Sequence, residues 1–459
     1  MNIDGVLFIS CFLPVVLTLY WLIPKDTGRN ILLLTAGLVF YAFGSLSGLG
    51  LLVGAAAFNY IMGRLIQRRK APNLFCVIAV AADLIFLGVF KYLDFAVTEV
   101  LGLPAVELGI AAPLGISFFI FKCISYIVDT YRDRGQGTKD PLAFLLYISF
   151  FPQVMAGPIS RFSQFRSQLS ERSRDAERIS RGIRRFVVGL AKKLILAGTL
   201  GAAADKIFGL DAGIVDIRLA WLGAIAYMLQ IYFDFSGYSD MAIGLGNAFG
   251  MDTPENFQYP YIANSVTDFW RRWHISLSSW FRDYLYIPLG GNRKGKLRTA
   301  LNKCIVFAFC GIWHGAAWTF VLWGLWHGLF SALESLKVIR IQKGRVLSRV
   351  YTLLVVCLGF VMFRAGDLAQ GFHMIGAMFT GFGLTVPGTV ALHGILTGET
   401  VAVLVLGAVL SLPVVPWIRS KIQGKWLEPV SYAACVLLYG ICLMALASGG
   451  FTPFIYAQF

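Results

Sequence analysis

The sequence predicts an all-α, polytopic membrane protein with about ten to twelve transmembrane helices and re-entrant elements. Of its 459 residues, 57% are hydrophobic and only 14% are charged, whereas a soluble protein carries about a quarter charged residues. The mean hydropathy is +0.69. Apolar runs recur along the chain, and with their flanks most of them approach the ~20 residues of a full span: Val6–Ile23, Ile31–Phe43, Leu74–Phe90, Leu114–Val128, Leu219–Phe235, Val350–Phe363, Val401–Val415 and Tyr432–Ala447.

Membrane topology explains the net charge of +15 better than nucleic-acid binding does. Short basic loops mark the cytoplasmic side of a membrane protein. Ser160–Lys193 holds ten Arg or Lys against three acidic residues, and Arg293–Lys303 holds five against none. Thr98–Leu108 and Gly209–Ile217 contain acidic residues but no Lys or Arg, so we place them outside. This alternation puts both termini outside, and the expected partner is membrane lipid, with no nucleic acid.

We expect residues 1–459 to form a single membrane domain with a basic, amphipathic cytoplasmic segment at 161–193 and a catalytic re-entrant region at 255–335. Within the second region, Cys304–Leu333 contains no Lys, Arg, Asp or Glu. One straight helix of that length would measure about 45 Å, which exceeds a ~30 Å bilayer core, while two full crossings need about forty residues. A hairpin of two short helices is therefore expected. Pro141–Pro158, which lies between basic loops, should also dip into the membrane and return.

Two Trp-His-Gly triplets lie in this uncharged stretch and place His314 and His327 at membrane depth. A protonatable ring in hydrocarbon is a candidate functional group, and imidazole is suited to moving a proton near neutral pH. Glycines four residues apart frame each triplet, which allows either close helix packing or space for a ligand. His314 and His327 are therefore candidate functional residues, and Trp313 is a candidate to support them. A purely structural packing role is the alternative for His327.

A second cluster, Phe269–Leu277, contains His274 beside Arg271 and Arg272. An interfacial aromatic belt would explain its tryptophans but not this concentration of polar groups. His274 is therefore a further candidate functional residue, and the two arginines are candidates to support it.

Further polar residues follow the apolar run Leu219–Phe235, namely Asp234, Ser236, Tyr238 and Asp240. They either orient a catalytic histidine or satisfy one another in a structural network. Gly290–Leu297 resembles a Walker phosphate loop, but Leu297 stands where Ser or Thr is needed, so nucleotide hydrolysis is rejected. The eight cysteines form no C-x-x-C pair, and no metal is predicted.

The chain resembles the membrane-bound O-acyltransferase family, and specifically its bacterial branch that acetylates exopolysaccharides such as alginate. The resemblance covers nearly the whole chain. It is carried by Asp234–Gly246 (DFSGYSDMAIGLG), Glu255–Tyr261 (ENFQYPY), Phe269–Gly291 (FWRRWHISLSSWFRDYLYIPLGG), Gly311–Trp318 (GIWHGAAW) and Pro453–Phe459 (PFIYAQF).

The resemblance implies a ring of membrane helices around re-entrant elements and a tunnel between the two faces. It implies that His314 is the catalytic histidine and that His274 is the second conserved polar group. His314 would act as general base or carry the acetyl group transiently, and His274 would orient the thioester or polarise its carbonyl. Acetyl-CoA is then the donor substrate rather than a bound cofactor, and its phosphates would be attracted by Arg293, Lys294, Lys296 and Arg298.

The implied setting is the bacterial inner membrane, with an SGNH-hydrolase-like acetyltransferase in the periplasm relaying acetyl to the polysaccharide. Alginate-type polymer is the first choice of acceptor, and cellulose, peptidoglycan or another glycan follows. A proton-coupled transporter or channel is the second class of function, because broken helices and buried histidines also build permeation paths. A scaffold that recruits a soluble transferase is the third.

Overall fold

The computed structural model describes residues 2–104, 112–170, 172, 175–340, 342, 344–422, 424 and 426–448. These residues are helical or irregular and contain no strand, which confirms the predicted all-α class. The motif Pro453–Phe459 and the C-terminus that was predicted to lie outside fall beyond the described residues, as does part of the acidic loop Thr98–Leu108.

The α-helices are α1 (Leu13–Leu22), α2 (Asp26–Ala42), α3 (Leu46–Arg68), α4 (Pro72–Phe95), α5 (Ile116–Arg132), α6 (Pro141–Ser149), α7 (Phe151–Val154), α8 (Phe162–Arg166), α9 (Ala176–Ala191), α10 (Gly198–Phe208), α11 (Ile217–Ala248), α12 (Val266–Arg272), α13 (Ile275–Phe281), α14 (Lys296–His314), α15 (Trp318–Ser335), α16 (Val346–Arg364), α17 (Leu368–Thr380), α18 (Val386–Ile395), α19 (Gly398–Leu410), α20 (Val414–Lys421) and α21 (Leu427–Ala447). Short π-helical segments occur at Phe8–Phe12, Ala96–Val100, Lys192–Ala197 and Arg282–Tyr286. Short 3₁₀ turns occur at Arg134–Gln136, Ala212–Ile214 and Pro260–Ile262.

Six helices among the described residues are long and apolar enough to cross a bilayer, or seven if α18 and α19, which are bent by 71°, form one broken span. The chain is therefore a multi-pass membrane protein, but the structure does not confirm ten to twelve crossings. The apolar run Val6–Ile23, for example, forms only the shorter helix Phe8–Leu22. Which side of the membrane each loop occupies stays a prediction.

The helices fall into two compact units, Met1–Val187 with Tyr238–Glu255 and Val188–Gly237 with Asn256–Phe459. In the first unit, α3, α4 and α5 pack on one another, and α6 lies against α2 and α3. The helices α6 and α7 within Pro141–Pro158 have nine and four residues. Neither can cross a bilayer, as expected for a segment that dips in and returns.

The second half of the basic segment 161–193 is helical, and its cytoplasmic location stays a prediction. That half begins a continuous 33-residue helix, Ala176–Phe208, that is itself a candidate span. In the first unit, Arg178 pairs with Asp252 at 2.5 Å, so this arginine has a partner within the protein. This contact was not predicted from the sequence, because a charged residue whose partner is distant in sequence shows the same local pattern as a solvent-exposed one.

In the second unit, α14 and α15 form the predicted hairpin, joined by residues 315–317. Their lengths of 19 and 18 residues correspond to about 29 Å and 27 Å. Gly311 and Gly324 lie opposite each other at the crossing, where an added Cβ on either would collide with a backbone carbonyl of the other helix. The glycine spacing therefore serves close packing at this pair.

Candidate active site

His314 is the last residue of α14, at the tip of the hairpin. Gly315 after it is extended, so the chain leaves the helix at once. His314 is 3% exposed, and its ring meets those of Trp313, Trp323 and Phe363 edge-on at centroid distances of 4.9, 4.9 and 5.2 Å. These three aromatic rings hold the imidazole in one orientation and exclude bulk water from it.

His274 lies between α12 and α13 and is completely buried. Its backbone is left-handed, with φ 45° and ψ 53°, a conformation that costs a non-glycine residue about 1–3 kcal/mol and occurs preferentially at functional sites. Backbone hydrogen bonds hold both flanks: Gln258 N–H donates to the Arg272 carbonyl and Ile275 N–H donates to the Asn256 carbonyl, each at 3.0 Å. The fold therefore maintains this strained position.

Asn256 fixes the side chain of His274 as well as its flank. The amide oxygen of Asn256 lies 3.2 Å from Nδ1 of His274 and accepts hydrogen bonds from the backbone N–H and hydroxyl of Ser276 at 3.1 and 2.9 Å. Asn256 belongs to the motif Glu255–Tyr261, yet the sequence analysis gave it no role. Its position inside a motif shared with the family was the sequence signal that could have indicated a role for Asn256.

Trp313 connects the two predicted catalytic histidines. Its ring centroid is 6.2 Å from that of His274 and 4.9 Å from that of His314. Phe235 covers another side of His274, with ring centroids 4.5 Å apart. The structure thus brings two histidines that are 40 positions apart in sequence into contact with one indole. It describes a buried, aromatic-walled pair of imidazoles within a single compact unit.

His327 lies deeper in the hairpin and is also fully buried. The indole N–H of Trp270 donates a hydrogen bond to Nδ1 of His327 at 3.3 Å. Its ring packs against Trp270 at 5.3 Å and Trp323 at 5.2 Å, and Trp323 in turn touches His314. These contacts match the helix-packing alternative for His327 and make it a neighbour of the site.

Asp234 is paired with a residue that the sequence analysis did not select. Lys193 Nζ donates to Asp234 Oδ1 at 2.6 Å, and the side chains are 0% and 5% exposed. Lys193 lies in the π-helical segment Lys192–Ala197, and Ser236 is buried two residues after Asp234. Lys193 was missed because a Lys-Lys pair after a basic run looks like the end of a cytoplasmic loop.

Tyr238 and Asp240 belong to the first unit. Tyr238 is buried there. Asp240 pairs with Arg185 at 2.8 Å, and Arg185 also binds Glu255 at 2.6 Å. These contacts link α9, α11 and the segment before Asn256 within that unit. Together they form a structural network centred on Arg185.

The arginines near His274 are more exposed than the histidine itself. Arg271 is exposed, and Arg272 is half-buried and pairs with Asp268 at 3.1 Å. Farther along, Arg282 pairs with its neighbour Asp283 at 2.8 Å. That hydrogen bond raises the pKa of the Arg282 guanidinium above its usual value, so this side chain stays charged.

The basic residues proposed to attract a phosphorylated donor form an exposed turn that leads into α14: Arg293, Lys294, Lys296 and Arg298. This basic turn and His314 occupy opposite ends of α14. The helix has 19 residues, so the two ends are about 27 Å apart.

Glu334 is a supporting residue that no sequence pattern indicated. Its carboxylate accepts hydrogen bonds from the backbone N–H groups of Val266 and Thr267 at 2.7 and 3.0 Å, and from the Thr267 hydroxyl at 2.7 Å. It thereby satisfies the first N–H groups of α12 from 67 and 68 residues away. Because α12 carries Trp270 and precedes His274, this contact helps to position the site.

Comparison with known proteins identifies the family. Residues 114–354 match "MBOAT, membrane-bound O-acyltransferase family". The "Probable alginate O-acetylase AlgI" of Pseudomonas putida is 39% identical, with 98% of this chain and 99% of that protein covered. The protein of the same name from Azotobacter vinelandii is 43% identical over 81% and 77%, and the "Peptidoglycan O-acetyltransferase" of Helicobacter pylori is 35% identical over 81% and 78%. The chain therefore belongs to the membrane-bound O-acyltransferase family and is a membrane O-acyltransferase.

Proposed function

We propose that this enzyme transfers acetyl groups from cytosolic acetyl-CoA across the bacterial inner membrane for O-acetylation of a secreted polysaccharide. The observation that carries the proposal is the pair of buried histidines, His274 and His314, that both contact Trp313. Relatives named alginate O-acetylase, 39% and 43% identical, support an alginate-type acceptor. A periplasmic SGNH-type partner would relay acetyl to the polymer.

The layout of α14 suits transfer between two faces. Its exposed basic turn favours a negatively charged donor at one end, and His314 lies about 27 Å away at the other end. That separation approaches the ~30 Å of a bilayer core. The donor phosphates therefore stay in the cytosol while the acetyl group is handed on near the opposite face.

The reaction needs a group that accepts the proton of the incoming hydroxyl, or a group that takes up the acetyl carbon before the hydroxyl attacks it. His314 acts either as general base or as a transient carrier of acetyl. The two routes differ in whether radiolabelled acetyl remains on the protein after brief exposure to acetyl-CoA without acceptor.

His314→Ala and His314→Asn test the proposal in a deletion strain, with acetyl esters on the exported polymer as the readout. We expect loss of the esters at normal protein level in the membrane. His373→Asn is the matched control, because His373 is an exposed histidine on α17. Full acetylation by a folded, inserted His314→Ala protein would show that His314 is not catalytic.

The acceptor is tested by deleting the gene and measuring acetyl esters on alginate-type polymer, cellulose and peptidoglycan in parallel. We expect the alginate-type polymer alone to lose its esters. The relative named peptidoglycan O-acetyltransferase makes peptidoglycan the sharpest competing outcome. Membership of an acyltransferase family removes the support for the transporter and scaffold alternatives.

A further inference from the structure

We propose that the basic end of α3 binds the headgroup of one anionic phospholipid. The site belongs to the first unit and shares no residue with the candidate active site. Its volume of about 310 Å³ is at the lower end of the range of about 300–1,000 Å³ that is usual for small-molecule sites. This headgroup cavity is lined by Tyr60, Ile61, Arg64, Leu65, Arg68 and Arg69.

Positive charge is concentrated at this end of α3. Arg64, Arg68, Arg69 and Lys70 lie close together in the sequence, and no Asp or Glu occurs from Leu46 to Ala82. Among the residues that the structure describes, the side chains of Arg68 and Arg69 have no carboxylate or hydrogen-bond partner. The planar guanidinium group matches the oxygens of a phosphate. The headgroup cavity is therefore suited to a phosphate-bearing anion.

Arg64 is held in position by hydrogen bonds that reach the loop between α5 and α6. Nη1 of Arg64 donates to Oε1 of Gln67 at 2.5 Å, and Nε2 of Gln67 donates to the Arg134 carbonyl at 2.8 Å. The Tyr60 hydroxyl donates to the Lys139 carbonyl, also at 2.8 Å. A side chain that is already fixed loses less conformational entropy when it binds an anion. One wall of the cavity is thus formed before the ligand arrives.

The headgroup cavity lies at the end of a candidate membrane span. That span is Leu46–Arg68, and the next candidate span, Pro72–Val100, begins three residues after Arg69. Arginine and lysine side chains at the ends of spans extend toward the bilayer surface, where the lipid phosphates are. The cavity is therefore at the depth of a lipid headgroup.

An apolar strip continues from the cavity along α3. Ile61 and Leu65 line the cavity, and Val53 and Ala57 follow at the same four-residue spacing, which places all four on one face of the helix. Val53 is 36% and Ile61 is 54% exposed. A soluble phosphate would use only the arginines. A phospholipid uses both parts, since its phosphate meets the arginines and its acyl chain lies along the strip.

The charge of the cavity also selects among phospholipids. A zwitterionic headgroup such as that of phosphatidylcholine brings a cation close to three arginines, and like charges repel. The headgroup of phosphatidylglycerol carries the phosphate charge without a cation. We therefore expect the site to prefer phosphatidylglycerol.

The test is native mass spectrometry of the full-length protein, extracted from vesicles with equal amounts of phosphatidylglycerol and phosphatidylcholine that have identical acyl chains. We expect wild type to retain phosphatidylglycerol preferentially. Arg68→Gln/Arg69→Gln should lower the ratio of retained phosphatidylglycerol to phosphatidylcholine about 25-fold, because each arginine near an anionic lipid contributes about fivefold. Equal retention of the two lipids by wild type would overturn the proposal.

Arg345→Gln/Arg349→Gln is the matched control. It removes the same charge from two exposed arginines at the start of α16, and it should keep the wild-type lipid ratio. Arg64 and Lys70 remain in the α3 variant, so the loop after α3 stays basic and the insertion of its helices is unaffected. An equal loss of phosphatidylglycerol in both variants would mean that the overall charge of the protein gathers anionic lipid and that α3 has no site of its own.

Ile61→Trp fills the cavity and leaves every charge in place. We expect it to lose the preference for phosphatidylglycerol as the arginine variant does. An unchanged lipid ratio in Ile61→Trp would show that the headgroup does not enter the cavity.

Inorganic phosphate and coenzyme A test the soluble sources of phosphate. Neither, added in excess over the lipid, should displace phosphatidylglycerol from wild type. Displacement by either one would assign the cavity to a soluble anion and overturn the lipid assignment. All these measurements report binding rather than acetyl transfer, so their outcome is independent of the proposed function.

Discussion

Gly359 on α16 is the residue that closes the space beside His327. A Cβ at this position would lie 2.8 Å from Nε2 of His327 and 3.3 Å from Trp326. Both rings belong to a tightly packed aromatic cluster, so neither can yield without disturbing its neighbours. We expect Gly359→Ala to lower the free energy of unfolding by about 1–3 kcal/mol, as overpacking does. Thermal unfolding of the purified protein in detergent measures the effect.

The control for that substitution is Gly376→Ala on α17, where no heavy atom lies within 4 Å of the added Cβ. There the gain in helix propensity predicts stabilisation by about 0.5–1 kcal/mol. The two alanine variants should therefore shift the melting temperature in opposite directions. Equal shifts would show that the space beside His327 is not restricted.

At the scale of single residues, the sequence indicated which histidines to consider but not how each is held. His314 and His274 stand out because ionisable rings are rare in apolar segments. The role of Asn256 depends on a contact across 18 residues, and that of Glu334 on contacts across 67 and 68. Such contacts leave no local periodicity, so only the structure reveals them.

The α14–α15 hairpin depends on two glycines that face each other. Gly324→Ala would place a methyl group against the backbone carbonyl of Phe307, which cannot rotate away. The helices must then separate, and His314 at the hairpin tip moves with them. We expect lower acetyltransferase activity. We also expect the free energy of unfolding to fall, by an amount at the upper end of the range of about 1–3 kcal/mol that overpacking costs.

Gly328→Ala and Gly54→Ala are the graded controls for this prediction. At Gly328 the nearest atom to an added Cβ is 3.1 Å away, and at Gly54 nothing lies within 4 Å. Activity and melting temperature should fall most in Gly324→Ala, less in Gly328→Ala and not at all in Gly54→Ala. A different order would mean that helix approach does not limit the site.

The ion pair of Lys193 and Asp234 connects the helix Ala176–Phe208 to α11 in the second unit. Removing one partner breaks this buried ion pair, which costs about 3–5 kcal/mol. We therefore expect Lys193→Met to be strongly destabilised and Lys193→Met/Asp234→Leu to recover most of that loss. Denaturant or thermal unfolding in detergent compares the two.

The exposed pair Arg181–Glu177 is the control, with side chains 54% and 64% exposed. Arg181→Ala should change stability by less than about 1 kcal/mol. If the double variant were no more stable than Lys193→Met, the pair would have a role beyond charge compensation, and its activity would then be the quantity to measure.

At the scale of elements, the hairpin was predictable because Cys304–Leu333 is uncharged and too long for one straight span. Its helices are longer than expected, because both extend beyond that stretch into charged residues. The long helix Ala176–Phe208 was not, because its first half reads as a solvated basic segment. The contacts that change this interpretation join Arg178 to Asp252 and Lys193 to Asp234. Hydropathy alone cannot distinguish a paired charge from an exposed one.

At the scale of the whole molecule, the charge of +15 raises the question of which basic residues act on the donor. Long-range attraction by the whole surface and local binding at the basic turn predict different outcomes. We expect simultaneous replacement by Gln of Arg293, Lys294, Lys296 and Arg298 to raise the KM for acetyl-CoA about tenfold at low salt and to leave kcat unchanged. Raising the ionic strength should shrink the difference from wild type, because salt screens exposed charges.

The matched control removes four exposed basic residues from the loop between α15 and α16 and the first turn of α16, namely Lys337, Arg340, Arg345 and Arg349. The change in net charge is the same, and only the position differs. If local binding at the basic turn dominates, this second quadruple variant keeps a KM for acetyl-CoA close to that of wild type. An equal rise in KM in both variants would mean that the overall field attracts the donor and that the turn before α14 has no special part in binding it.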